Sequence, residues 1–162
     1  MSPPGQINFP LPIEGSLLGV DYGTVRIGLA ISTPSQSIAS ALETYQRQNL
    51  VQDEKRFRKV IEEFRIKGIV VGSPIHVNGS ESQKSAEAET FARWLNQFTG
   101  LPVALHDERY TSSLAADALV EAGFKPHKHK GKLDKLAALL MLQSYLDRRA
   151  ELRKQAEETQ ES

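Results

Sequence analysis

The sequence predicts an α/β fold, a five-stranded mixed sheet with helices packed on it. Three observations carry this. Residues Leu17–Asp21 and Arg26–Ser32 are short apolar runs joined by a turn at Gly23, close enough to form a hairpin. Two more apolar runs, GIVVG at 68–72 and PVALH at 102–106, have the length and flanking glycine or proline of buried strands. The stretches between and after them space their apolar residues for helices.

Taken in order, residues 1–15 hold four prolines and read as a flexible lead-in. The two hairpin strands follow, and ASALETYQ at 39–46 supplies a third. Asn49 with Gln52 three residues on resembles a capping box, with Asn in place of Ser or Thr. Phe57, Val60, Ile61 and Phe64 then mark an amphipathic helix over 50–66. After the 68–72 strand and a loop, Ser80 with Gln83 caps a helix running to about Phe98. Phe91, Trp94, Leu95 and Phe98 recur there at helical spacing, which reads as core or interface rather than as base-stacking groups.

The 102–106 strand ends at Asp107–Glu108. Thr111 or Ser112 opens a helix that stops at Gly123. A basic loop, KPHKHKGK at 125–132, precedes a last helix over about 133–149, packed through Leu136, Leu139, Leu140 and Leu142. The charged segment 150–162 is a tail with too few apolar residues to dock firmly. The organisation is thus one domain over 16–149 between two appendages. Its element order, β-β-β-α-β-α-β-α-α, is that of the ribonuclease-H-like fold.

Bulk properties narrow the function. With 162 residues, 40% hydrophobic and 25% charged, the chain is long enough for one real core. It has no cysteine, which excludes thiol catalysis and thiolate metal sites and favours an intracellular setting. No apolar run approaches membrane-spanning length, and the first residues lack the basic and apolar regions of a secretory signal. Formal net charge is zero, so any affinity for nucleic acid must be local. The basic loop, with four lysines and two histidines and no acid, is such a place.

The chemistry lies in the acids. Asp21 ends the first strand, Asp107 and Glu108 end the last, and Asp134 opens the final helix. In open α/β sheets functional groups gather at the carboxyl edge of the strands. Parallel first and fifth strands would share that edge, and a helix laid across it could bring Asp134 in. Carboxylates gathered closely repel one another unless a cation joins them. Mg²⁺ suits such a site because it takes oxygen ligands and binds through one or two carboxylates plus substrate phosphates. Each acid alone has a blander role: Asp21 bonding the turn amides, Asp134 favouring a helix start, Glu108 pairing with a surface cation.

Four blocks, VDYGTVRIGLAIS, IVVGSPIHVNGSES, LHDERYTS and KGKLDKLAALLMLQSYLD, resemble the YqgF family in order and spacing over about residues 17–148. These are small bacterial ribonuclease-H-fold proteins, also described as RuvX, Holliday-junction-resolvase-like proteins or pre-16S rRNA nucleases. The resemblance implies a cytoplasmic, Mg²⁺- or Mn²⁺-dependent nuclease. Its substrate would be the 5′ end of precursor small-subunit rRNA, in ribosomal assembly intermediates, or branched DNA. It implies Asp21, Glu108 and Asp134 as catalytic, metal-binding acids, with Asp107 as a second-choice ligand.

Around them, Gly23 leaves space for the substrate backbone, and Thr24 and Arg26 stand beyond the turn where a nucleic-acid backbone could lie. Arg109 either stabilises the phosphate or orients Glu108 by an ion pair. Lys128, Lys130 and Lys132, with Lys125, His127 and His129, form a phosphate-contacting loop or a solvated one. His127 and His129 have no third partner for zinc. A non-catalytic rRNA-binding assembly factor is the rival reading. An ATPase built on the D-x-G-T turn is a third, but it needs a second domain that this length does not hold.

Overall fold

A computed structural model describes residues 10–73, 83–107 and 130–161. Five strands and three helices lie within them. They are β1 (Leu17–Asp21), β2 (Arg26–Ser32), β3 (Ala39–Gln46), α1 (Leu50–Phe64), β4 (Gly68–Ser73), α2 (Gln83–Thr99), β5 (Val103–Asp107) and α3 (Lys130–Glu161). The sheet runs β3-β2-β1-β4-β5. β1 is antiparallel to β2 and β2 to β3, whereas β1–β4 and β4–β5 are parallel. The expected mixed sheet is therefore present, with strands one and five pointing the same way. The helix expected between Thr111 and Ala122, and the Ser80 cap, lie outside the described residues.

Alternation along the strands builds two cores. Leu18, Val20, Ile69, Val71 and Val103 face α1 and α2, where Phe57, Val60, Phe91 and Leu95 complete a buried cluster. Leu17, Val70 and Ala104 face α3 and pack on Ala138, Met141, Leu142 and Leu146. These α3 positions recur every three or four residues, which defines its inner face. Leu136 and Leu140, expected in the core, are only half-buried because they fall beside that face.

The α1 start follows the sequence: the Asn49 side chain accepts from the Gln52 amide at 2.9 Å. The helix stops at Phe64, short of 66, because Arg65 turns left-handed with φ 52° and returns its N–H to the last turn. In the first turn of α1, Asp53 is 1% exposed and accepts from the Tyr45 hydroxyl at 2.8 Å, Arg47 Nε at 3.1 Å and the Gln48 amide at 3.1 Å. This pins the end of β3 to α1. Burial, with the hydrogen bond to Asp53 and its charge behind it, pushes the Tyr45 hydroxyl up to about 12.

α3 reaches the sheet through glycines. A Cβ on Gly19 would come within 2.9 Å of Leu142 Cβ, and one on Gly28 within 1.9 Å of the Asp134 carbonyl oxygen. The helix backbone thus rests directly on β2 at Gly28. α3 also starts earlier than expected, at Lys130, and continues to Glu161, with residues 150–160 exposed.

Part of the presumed lead-in is anchored. Leu11 is 3% exposed, and Arg149 donates to the carbonyls of Leu11 and Pro12 and to Gln36. Proline density signals irregular backbone; it does not register one apolar side chain finding a slot beside α3.

Candidate functional site

Asp21 closes β1 at the carboxyl edge, paired with Gly28 on one side and Gly72 on the other. Residues 17 and 19 of the same strand meet α3, so the pleat turns Asp21 toward α3 as well. Gly28 carries the first turns of α3 on its bare backbone. Asp134 is consequently delivered beside Asp21, and both line one cleft of about 420 Å³. The hairpin turn from Tyr22 to Arg26 forms one wall, and Lys84 and Glu87 of α2 form another.

The Asp134 carboxylate is held: Arg26 Nε donates to its Oδ2 at 2.7 Å. Arg26, expected to touch substrate, thus spans from β2 to the candidate metal ligand. Thr24 lines the cleft. Gly23 lines it too, but its reason differs from the expected one. A Cβ there would lie 2.2 Å from the Arg26 carbonyl oxygen, so the tight turn itself requires glycine.

Asp107 does not join the pair. It follows Val103 and Leu105 on the α1–α2 face, the opposite side of the sheet from Asp21, and it does not line the cleft. One residue along a strand reverses the side-chain direction, so Asp107 approaches the edge from the face opposite to Asp21. Glu108, Arg109 and Lys128 lie outside the described residues. Lys130 and Lys132 fall in the first turn of α3 rather than in a loop, and their side chains are outside the description.

The same edge carries a residue the sequence did not single out. His106 pairs in register with Gly72, which pairs with Asp21. Its Nε2 lies 3.2 Å from Ser144 Oγ, and its ring meets Tyr145 edge-on at 5.7 Å. Burial lowers its pKa below 6.5, with Asp107 raising it and Arg148 lowering it to smaller extents. Tyr22, Lys84 and Glu87 were likewise missed. Lys84 and Glu87 are three apart and share one helical face, which was a legible signal. What could not be read was the edge over which that face lies.

Oxygen donors without sulfur suit a hard divalent cation. Among the described residues no group of three or more acids or histidines is arranged to hold a metal. Asp21 and Asp134, two of the three carboxylates that line the cleft with Glu87, nonetheless match Mg²⁺, which commonly takes only one or two from the protein.

The family described as RuvX, Holliday junction resolvase, matches residues 15–148. The chain belongs to the RuvX family. A Rhodopirellula baltica relative is 44% identical over 137 residues, 84% of this chain and 79% of its own. One from Koribacter versatilis is 41% identical over 140 residues, 86% and 92% respectively. Both carry the name "Putative pre-16S rRNA nuclease".

Among solved structures, Thermus thermophilus RuvC in complex with Holliday junction substrate superposes with a TM-score of 0.56 at 15% identity, covering 84% of this chain and 96% of that one. The yeast mitochondrial Holliday junction resolvase Ydc2 gives 0.54 at 13% identity, covering 90% and 83%. At such identities the likeness is one of fold, and it makes this RuvX chain ribonuclease-H-like. No helix among the described residues is long and apolar enough to cross a membrane.

Proposed function

We propose that this RuvX chain is a divalent-metal-dependent nuclease that hydrolyses nucleic-acid phosphodiester bonds, acting in the cytoplasm on the 5′ end of pre-16S rRNA in assembling small subunits. The observation that carries the reading is the shared cleft of Asp21 and Asp134, two acids from opposite ends of the fold. Family membership and relatives named for that activity support it.

Asp21 and Asp134 would hold Mg²⁺ or Mn²⁺, with Glu108 as the third carboxylate. A bound ion there supplies an activated water and offsets charge on the phosphate. The chain's own residues do the rest. Arg26 holds Asp134 by Oδ2, and Oδ1 would be the oxygen turned to a ligand. Lys84 and Thr24 line the route by which an anionic backbone enters. Water oxygen joins phosphorus as one P–O ester bond breaks, leaving a phosphomonoester and a hydroxyl end.

The test uses purified protein, a labelled pre-16S leader RNA and a four-way DNA junction, each with Mg²⁺ and with EDTA. Metal-dependent cleavage of the RNA is expected. Asp21→Asn should lower it about a hundredfold or more, since even an outer partner of a metal ligand is worth ten- to a hundredfold. Cleavage confined to the junction would redirect the reading to branched DNA. Binding with no cleavage of either would favour a non-catalytic assembly factor, for which the Arg26–Asp134 ion pair is a purely structural bond.

A further inference from the structure

Beside the carboxylate cleft lies a second recess of about 470 Å³, lined by the rings of Tyr22, Phe91 and Trp94 with Arg47, Leu50 and Thr90 around them. The two recesses are neighbours: Tyr22 and Glu87 line both. Tyr22 also follows Asp21 directly in the chain, so the aromatic recess begins one residue from the candidate metal ligand. We infer that this recess is a nucleobase pocket, which takes one unpaired base of the strand whose phosphate lies at Asp21. The inference rests on the nuclease reading for that phosphate, and it adds a substrate feature: the base beside the cut must be unstacked.

The lining has the chemistry of a base site. Phe91 is buried and belongs to the core, as its spacing predicted, but Tyr22 and Trp94 are only partly covered. Their ring centroids lie 5.0 Å and 5.3 Å from that of Phe91, so the three rings pack as one aromatic cluster, and this cluster lines the recess. Stacking on such faces is sequence-tolerant, because every base has a π-face.

Arg47 sets the polar lip. Its guanidinium carbon lies 5.7 Å from the Tyr22 centroid and 5.2 Å from that of Phe91, and the buried Asp53 carboxylate fixes it there. A planar cation so held can stack on or hydrogen-bond a base edge. Leu50, 56% exposed, extends the apolar wall outward. Arg47 keeps its pairing with Asp53, and the planar guanidinium beside the rings suits the edge of a nucleobase better than a wholly apolar partner.

Trp94 is the single tryptophan, so its emission reports on the recess alone. The protein is titrated with a twelve-nucleotide oligoadenylate in Ca²⁺, following Trp94 emission and the anisotropy of a labelled strand together. The single strand should quench Trp94 as it binds. The same strand paired to oligouridylate, and an abasic strand of equal length, should not.

Tyr22→Ala should weaken binding roughly ten- to a hundredfold, while Tyr22→Phe keeps it, because the ring and not the hydroxyl stacks. Tyr22→Ala and the unaltered chain should bind the abasic strand alike, a comparison that separates a lost pocket from a damaged fold. Failure to bind the single strand, or binding with unchanged emission, overturns the pocket. So does emission that varies with protein concentration alone, which would mean that a second copy fills the recess. Cleavage with unchanged emission would leave the nuclease standing without the pocket, and quenching without cleavage of any substrate would leave the pocket without the nuclease.

Discussion

Arg26 and Asp134 are joined by a 2.7 Å hydrogen-bonded ion pair that ties the second strand to the last helix. Its side chains are 38% and 30% exposed, so solvent screening keeps its contribution to stability under about 1 kcal/mol. Its importance is positional. Arg26→Ala should leave the thermal midpoint within a few degrees of the unaltered chain. Freed of its cation, Asp134 should bind Mg²⁺ more tightly, so half-saturation falls, while kcat drops about tenfold as the carboxylate loses its orientation. A Mg²⁺ titration of cleavage checks both directions; a rise in half-saturating Mg²⁺ would contradict the assignment.

Gly28 bears the helix that carries Asp134. A methyl group there meets backbone at 1.9 Å, not a flexible side chain, so α3 must lift. Gly28→Ala should destabilise the fold by about 1–3 kcal/mol, the usual range for overpacking. Activity should fall further than the folded fraction accounts for, because Asp134 moves away from Asp21. Urea unfolding beside a cleavage assay separates the two effects. An active, fully stable variant would show that this approach is not required.

Asp53 is a buried carboxylate with three donors, one of them the Arg47 guanidinium. Asp53→Ala leaves those donors without their acceptor and should cost about 3 kcal/mol in urea unfolding. A loss below about 1 kcal/mol would mean that water replaces the carboxylate readily. The same substitution should loosen Arg47 from the rings it covers.

His106 gives the fold a pH dependence whose sign is set by burial. Its folded pKa lies below the 6.5 of the unfolded chain, so below that pH the unfolded state takes up the proton first. Stability from this residue is full above about pH 6.5 and declines as pH falls toward the lower folded value. His106→Gln should flatten the fall in thermal midpoint as pH drops below 6.5. Parallel curves for the two proteins would assign the acid loss to other groups.

Strand and helix boundaries were legible because their signals are local. β1, β2 and β3 occupy the residues that alternation and turn chemistry indicated, and Asn49 caps α1 as its spacing required. The left-handed Arg65 and the docked Leu11 were not legible. A non-glycine C-cap carries no composition signal, and a lone leucine among prolines shows nothing of the Arg149 that holds its carbonyl.

By itself the sequence determined that acids stand at strand ends, that helices follow with one apolar face each, and that an Asp lies near the start of the last of them. Those features depend on periods of two and 3.6 residues, which any short window contains. Only the tertiary structure decided which acids meet. Asp21 and Asp107 both end parallel strands, yet pleat parity sends them to opposite faces, and a close approach over Gly28 brings in Asp134 from far along the chain. Pairing register and interhelical contact are long-range properties, so the cleft, its Lys84 and Glu87 wall and the aromatic recess beside it exist only once the sheet has closed against its helices.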